Sequence, residues 1–237
     1  MNLAQSISLV TGAGRGIGRA IALAMAKEGA TVLLTARTVP ELEAVRREIE
    51  TGGGKAVAMP ADVTSDDQLH ALFDAIEKRF KRLDLLVNNA GIGRFAPFTS
   101  LSVADLDSMW KLNVRAVFLC SQRAVRLMEV QKGGAIINIS SLAGKNSFAG
   151  GSGYSATKWA LMGFSKTLML EVREHNIRVI TVCPGSVDTT FSTLQKDSLR
   201  SEKILHPADV AETVLAAIRL PDRAMVSEID IRPTNPK

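Results

Sequence analysis

Short apolar runs alternate with longer amphipathic stretches from one end of this chain to the other, and that alternation restricts the fold more than any other feature. The runs are ISLVT (7–11), TVLLTA (31–36), KAVAM (55–59), LDLLVNN (83–89), GAIINIS (134–140), IRVITVC (177–183) and MVSEIDI (225–231). Helical patterns lie between them near residues 17–28, 40–51, 65–81, 102–131, 153–175 and 207–219. The runs show little polar alternation, as expected of strands covered on both faces. Strict alternation of strand and helix implies right-handed crossovers. The expected fold is therefore α/β: a Rossmann-type, doubly wound parallel sheet of about seven strands with helices on both faces. No repeat, linker or low-complexity segment interrupts it, so residues 1–237 are expected to form a single dinucleotide-binding and catalytic domain. Such sheets bind ligands outside the carboxyl ends of their strands, and the chemistry is to be sought there.

Composition narrows the class. The chain is 46% hydrophobic and 22% charged, a balance typical of folded soluble proteins. No apolar stretch runs long enough to cross a bilayer, and the first residues carry no basic leader. Cys120 and Cys183 are isolated in apolar segments, which predicts buried free thiols and a cytoplasmic setting. The net charge of +5 comes from basic residues dispersed among acids, with no basic stripe interleaved with aromatics. Nucleic acid is therefore not an expected partner, and neither is a membrane. His70, His175 and His206 stand far apart, so no metal site is expected.

The first run ends in TGAGRGIG (11–18), and a helical pattern follows at once. Glycines at Gly12, Gly14, Gly16 and Gly18 let the turn reach positive φ and let backbone approach a ligand closely. The following helix start, at Ile17, offers unpaired N–H groups to a pyrophosphate. The spacing of Gly12, Gly16 and Gly18 is G-x-x-x-G-x-G, with Ile17 where the commoner G-x-G-x-x-G fingerprint has its last glycine. At the end of the second run, the acid that would hold an NAD ribose is replaced by Ala36, and Arg37 follows. Arg37 can grip a 2′-phosphate through charge-assisted bonds, and Arg15 can close over it from the glycine loop. The expected cofactor is NADP(H).

The chain contains one tyrosine, Tyr154, and Lys158 follows it by one helical turn. Reducing a ketone by hydride transfer leaves an alkoxide that needs a proton, and the reverse reaction needs a base. A free tyrosine, with a pKa of about 10, is a poor base at neutral pH. Residues i and i+4 share a helix face, so Lys158 can favour the phenolate. Ser141, just past a central strand, can hold the substrate oxygen beside Tyr154. Taken one at a time, these signals are weak: a Tyr-x-x-x-Lys pair arises by chance, SS after a strand is often a turn, and Asn113 could be a satisfied core amide.

Together, TGAGRGIG, ADV (61–63), NNAG (88–91), KLNV with its Asn113, NISS (138–141), YSATK (154–158) and PG (184–185) resemble the classical short-chain dehydrogenases/reductases over nearly the whole chain. The resemblance implies a catalytic set of Asn113, Ser141, Tyr154 and Lys158. It implies that Lys158 also binds the nicotinamide ribose and that the Asn113 backbone holds a proton-relaying water. It further implies that Asp62 and Val63 meet the adenine and that Asn89, Ala90 and Gly91 pass beneath the cofactor, as scaffold as much as contact. Pro184, Gly185, Val187 and Thr189 would flank the nicotinamide, with the Val187 amide on its carboxamide.

The substrate is less legible. Residues 91–98, 142–148 and the segment after Gly185 should wall it, supplying Leu142, Phe95, Phe98, Phe148 and Phe191. A phenylalanine in such a place is more often core than substrate contact. The Ser/Thr-rich stretch 186–206 suggests a small mobile lid over an open site. The expected substrate is a small carbonyl or alcohol, a thioester included. Relatives include 3-oxoacyl-acyl-carrier-protein reductases, 3-hydroxy acid dehydrogenases and general carbonyl reductases. The ending RAMVSEIDIRPTNPK departs from the glycine-rich ending of the first and points to the other two. A 3-oxoacyl-acyl-carrier-protein reductase remains the alternative, with a silent NADP-binding regulator behind it, and a homo-oligomer (dimer or tetramer) is expected. Comparison of KM for NADPH and NADH tests the cofactor reading: NADPH should be used at the lower KM, and equal or tighter use of NADH would remove it.

Overall fold

The computed structural model describes residues 1–191 and 203–234, so part of the expected lid segment, 192–202, lies outside the described residues. The strands are β1 (Ile7–Thr11), β2 (Thr31–Thr35), β3 (Lys55–Ala58), β4 (Leu85–Asn88), β5 (Gly134–Ile139), β6 (Ile177–Pro184) and β7 (Glu228–Ile231). They form one seven-stranded sheet in the order β3-β2-β1-β4-β5-β6-β7, parallel throughout. The order reverses between β1 and β4, and this switch point opens the crevice in which doubly wound sheets hold their ligands.

Both faces of the sheet are covered, which explains the missing polar alternation. Val10, Val32, Leu34, Val87, Ile137 and Ile180 pack towards α1 (Gly16–Lys27), α2 (Val39–Thr51) and α7 (Pro207–Arg219). The residues between them, Leu9, Leu33, Leu86, Ile136 and Val179, face α3 (Asp66–Phe80), α5 (Ala116–Val130) and α6 (Ser152–Val172). Successive strand side chains point to opposite faces, so each strand must be apolar on both.

The boundaries depart from the sequence expectation in a few places. The expected helix 102–131 begins as α4 (Val103–Trp110), passes through a π-helical turn at Lys111–Arg115 and continues as α5. There the Ala116 N–H reaches back to Lys111 O, one residue further than in an α-helix. β7 starts at Glu228 rather than at residue 225, and β4 ends at Asn88 because Asn89 turns away to bond β1. Ser102 caps α4 reciprocally with Asp105, and His206 with Asp209 forms a capping box at α7.

The core between β4 and β5 is not purely apolar. Asn88 Nδ2 donates to Ser121 Oγ at 3.0 Å and to Asn138 Oδ1 at 2.9 Å, and Asn138 Nδ2 donates to Ser165 Oγ at 2.8 Å. These buried side chains tie α5, β4, β5 and α6 together just below the crevice. Asn138→Ala strands one Asn88 donor and one Ser165 lone pair in a dry setting. The expected cost is about 2–3 kcal/mol, read from the urea midpoint; a loss of a few tenths would show that the chain contributes little.

Candidate active site

Loops at the carboxyl ends of β1, β4, β5 and β6 converge on the switch point. The glycine loop after β1 holds Gly12 at φ +65° and Gly16 at φ +54°, conformations that favour glycine. A Cβ on Gly12 would lie 3.0 Å from Ala90 Cα, and one on Gly18 would collide with the Gly12 carbonyl and the Asn89 amide. Only glycine lets this turn and α1 approach so closely. Among the described residues no side chain caps the start of α1, and its first turn contains no acid. Its amides are left to an anion, and the helix dipole favours one. A cavity of about 270 Å³ opens there, lined by Arg15, Gly16, Arg19 and Ala20 on one side and by Asp188, Thr189, Thr190 and Pro207 on the other. A pyrophosphate fits the charge and the shape of this cradle.

Thr11 ties the two central loops, a role not read from the sequence. Its hydroxyl donates to Val87 O at 3.3 Å and accepts from the amides of Asn89 and Ala90, each at 3.0 Å. Asn89 Nδ2 returns to Thr11 O at 2.9 Å and Gly12 O at 3.2 Å. The Asn89 side chain is thus scaffold for the glycine loop.

Arg37 is exposed at the end of β2, and Arg15 is exposed on the glycine loop with no ion-pair partner among the described residues. Partial burial works to raise the Asp62 carboxyl, but hydrogen bonds from the Thr64 hydroxyl and amide, with the charge of Arg37, hold it below the usual carboxylate range. Val63 beside it is buried. The carboxylate of Glu41, in the first turn of α2, packs on Gly14, a contact absent from the sequence reading. After β6, Pro184 ends the strand and Gly185 lies against Leu142. A short bridge then pairs Val187 with Leu205 through the amides of Asp188 and Leu205.

Ser141, Tyr154 and Lys158 come together. Ser141 caps the short turn Leu142–Gly144 by accepting the Ala143 N–H at 3.1 Å, and its hydroxyl also reaches the Tyr154 phenol. Lys158 is buried, donates to Ile139 O at 3.0 Å and lies 5.7 Å from the centre of the Tyr154 ring. Asn113 sits in the π-helical turn. Its Oδ1 accepts the Ile92 N–H at 2.9 Å, and its Nδ2 donates to Ile92 O at 2.8 Å and Thr157 Oγ1 at 3.1 Å. The side chain is therefore a satisfied structural amide. A Cβ on Gly91 would lie 3.3 Å from Asn113 Oδ1 and 4.0 Å from Lys158 Nζ, which puts these groups around one small space.

Burial pushes the Tyr154 phenol up to about 12, against the opposing hydrogen bond from Ser141. Burial also lowers the Lys158 ammonium to about 8. Desolvation acts on the charged form of each group. Of the phenylalanines weighed between core and substrate wall, Phe95, Phe148 and Phe191 stay roughly half-exposed, and Phe95 and Phe191 touch the Tyr154 ring. Phe98 is 81% exposed and joins no ring pair with them. Both cysteines are buried, and burial pushes their thiols up to about 12 at Cys120 and about 11 at Cys183, which leaves neither as a nucleophile.

Comparison with known proteins bears on the family. The family pattern described as short chain dehydrogenase matches residues 6–199. A 3-oxoacyl-[acyl-carrier-protein] reductase from Synechocystis sp. is 37% identical over 222 residues, covering 90% of this chain and 88% of that protein. A sepiapterin reductase from Chlorobaculum tepidum is 34% identical over 236 residues, covering 97% and 96% respectively. Among solved structures, a metagenomic short-chain oxidoreductase in complex with NADP superposes with a TM-score of 0.87 at 38% identity, over 99% of this chain and 100% of that one. With the pattern matched over most of the chain and relatives aligned nearly end to end, this chain belongs to the short chain dehydrogenase family.

Proposed function

We propose that this oxidoreductase is NADP(H)-dependent and transfers a hydride between the nicotinamide and a ketone or secondary alcohol, as carbonyl reductases and 3-hydroxy acid dehydrogenases do. The observation that carries the reading is the meeting of the Ser141 hydroxyl, the Tyr154 phenol and the buried Lys158 ammonium beside the glycine cradle. The phosphate preference rests on Arg37, which follows Ala36 where a ribose-binding acid would stand, and on Arg15, which has no ion-pair partner among the described residues; the metagenomic relative is described with NADP. Gly12, Gly16 and Gly18 would hold the pyrophosphate, Asp62 and Val63 the adenine, and Pro184, Gly185, Val187 and Thr189 the nicotinamide.

When bound, the reduced nicotinamide supplies the hydride. Ser141 holds the carbonyl oxygen through its hydroxyl and so keeps the carbonyl within reach of the phenol. Tyr154, its pKa pushed up by burial, keeps its proton at neutral pH and delivers it to the oxygen as negative charge develops, because an alkoxide is the stronger base. Lys158 has three N–H donors and gives one to Ile139 O, leaving two for ribose hydroxyls. Its charge offsets the phenolate left after proton delivery. Asn113 keeps α6 and the loop after β4 in register around these groups.

A second reading, reduction of 3-oxoacyl chains on acyl carrier protein, is favoured by the name of the Synechocystis relative. Against it, Arg94 pairs with Asp105 and Lys145 with Glu228 and Asp230, so cations on two adjoining loops are already matched by acids.

The proposed form is a homo-oligomer in the cytoplasm. Its support is the apolar outer face of α4 to α6, where Trp110, Phe118, Trp159 and Leu170 are exposed and the Phe118 and Phe164 rings touch at 5.4 Å. β7 adds an edge with no second strand among the described residues. No helix among the described residues is long and apolar enough to cross a membrane.

NADPH oxidation followed at 340 nm against ketones tests the reaction. Tyr154→Phe should lower kcat about 10³-fold while NADPH binding stays within a few-fold, and near-normal turnover would sink the assignment. NADPH affinity should weaken as pH rises through about 8, where Lys158 loses its charge. An unchanged Kd from pH 7 to 10 would remove Lys158 as the ribose ligand.

A further inference from the structure

The mouth of the site is built from aromatic rings. The Phe95 ring meets Tyr154 edge-on, with centroids 5.4 Å apart and planes at 71°. Phe191 approaches the same tyrosine at 5.8 Å and 57°, and Phe148 extends the group from Phe95 at 5.9 Å and 50°. These separations are those of attractive aromatic pairs. Tyr154 is 8% exposed, whereas Phe95 and Phe148 are each 47% exposed and Phe191 42%. The phenol therefore lies at the base of a patch whose free surface is phenylalanine, each from a different loop.

The patch is seated rather than collapsed at random. A Cβ on Gly93 would lie 2.7 Å from Phe95 Cζ and 3.0 Å from Phe191 Cε1, so both rings rest on bare backbone that no other residue type provides. The Phe148 ring rests in the same way on Gly151. The two loops carrying Phe95 and Phe148 are pinned by the Ala96 N–H on Gly150 O at 3.0 Å, and Gly150 holds φ +78°. Among the described residues, the cations on the loops of Phe95 and Phe148 are matched by acids. Arg94 is paired with Asp105 at 3.5 Å, and Lys145 is held by Glu228 and Asp230.

We propose that Phe95, Phe148 and Phe191 form a specificity surface for uncharged ketones whose carbonyl carries a flat aromatic ring. The ring lies on the exposed phenylalanine faces and edges while the carbonyl oxygen meets Ser141 and Tyr154. A flat ring gains quadrupole contacts that a saturated ring of similar size does not, and a carboxylate finds no unpaired cation on the Arg94 and Lys145 loops. The inference rests on the proposed ketone reduction and narrows its substrate.

Three diketones that differ in one substituent test it: 2,3-butanedione, 1-cyclohexyl-1,2-propanedione and 1-phenyl-1,2-propanedione, with acetoacetyl thioester as the acyl-chain control. The expected kcat/KM for the phenyl compound exceeds that for the cyclohexyl compound about tenfold, the range of one to two aromatic contacts. In Phe95→Leu, and separately in Phe148→Leu, that ratio should fall towards one, with NADPH binding as the control for folding. Equal rates for phenyl and cyclohexyl in the native protein would overturn the inference, as would a ratio unchanged in both variants or a thioester used best of all. If no carbonyl compound is turned over, the reaction reading fails by itself. The surface is then read from binding of the same diketones in the presence of NADP⁺ by saturation-transfer NMR. Preference for phenyl there supports the surface, and no preference overturns it.

Discussion

The Asn113 amide joins three segments that are distant in sequence and that the site cannot do without. Its oxygen and nitrogen bracket the backbone of Ile92 on the loop after β4, and its second N–H reaches Thr157 in α6. Thr157 in turn donates to Tyr154 O at 2.7 Å. Asn113 is 1% exposed and Thr157 fully buried, so these bonds form without competition from water. The residue lies in a π-helical turn, where the extra residue lets the α4–α5 rod carry a polar group to the loop without giving up the apolar faces on either side. Through this amide the loop after β4 and the helix of Tyr154 and Lys158 hold a common position.

A second layer of the same design lies beneath it. Asn88 and Asn138 pair across neighbouring strands and reach serines on α5 and α6. Thr11 and Asn89 do the same between β1 and β4. Parallel strands in a buried sheet need only be apolar to cohere, but apolar contacts alone do not set the level at which the loops leave them. Directional bonds at the strand ends do, and each of these residues lies at or beside the last residue of its strand.

Burial that keeps those bonds dry also sets the electrostatics. The phenol is raised and the ammonium lowered by the same cause, loss of water, and each is moved towards its neutral form. A tyrosine that holds its proton firmly is suited to give it only to a stronger base, such as an alkoxide formed beside it. Lys158, near 8, is still mostly charged at neutral pH.

Much of this was written in local pattern. Apolar runs of five to seven residues between amphipathic stretches, and TGAGRGIG after the first, determine strands, helices and a glycine turn, because period and backbone freedom are properties of consecutive residues. The spacing of Tyr154 and Lys158 determines that both lie on one helix face. Other features were decided by tertiary structure. That Asn113 clamps a loop, that Thr11 binds the loop after β4, and that Glu41 rests on Gly14 depend on segments brought together from afar. The phenylalanines are the clearest instance: the sequence offers Phe95, Phe148 and Phe191 both as substrate walls and as core, because burial is the usual fate of an aromatic ring. Their place around Tyr154 arises from the lengths and glycines of separate loops. The Tyr154 pKa likewise depends on how much water the whole fold excludes, which no neighbouring residue in sequence can report.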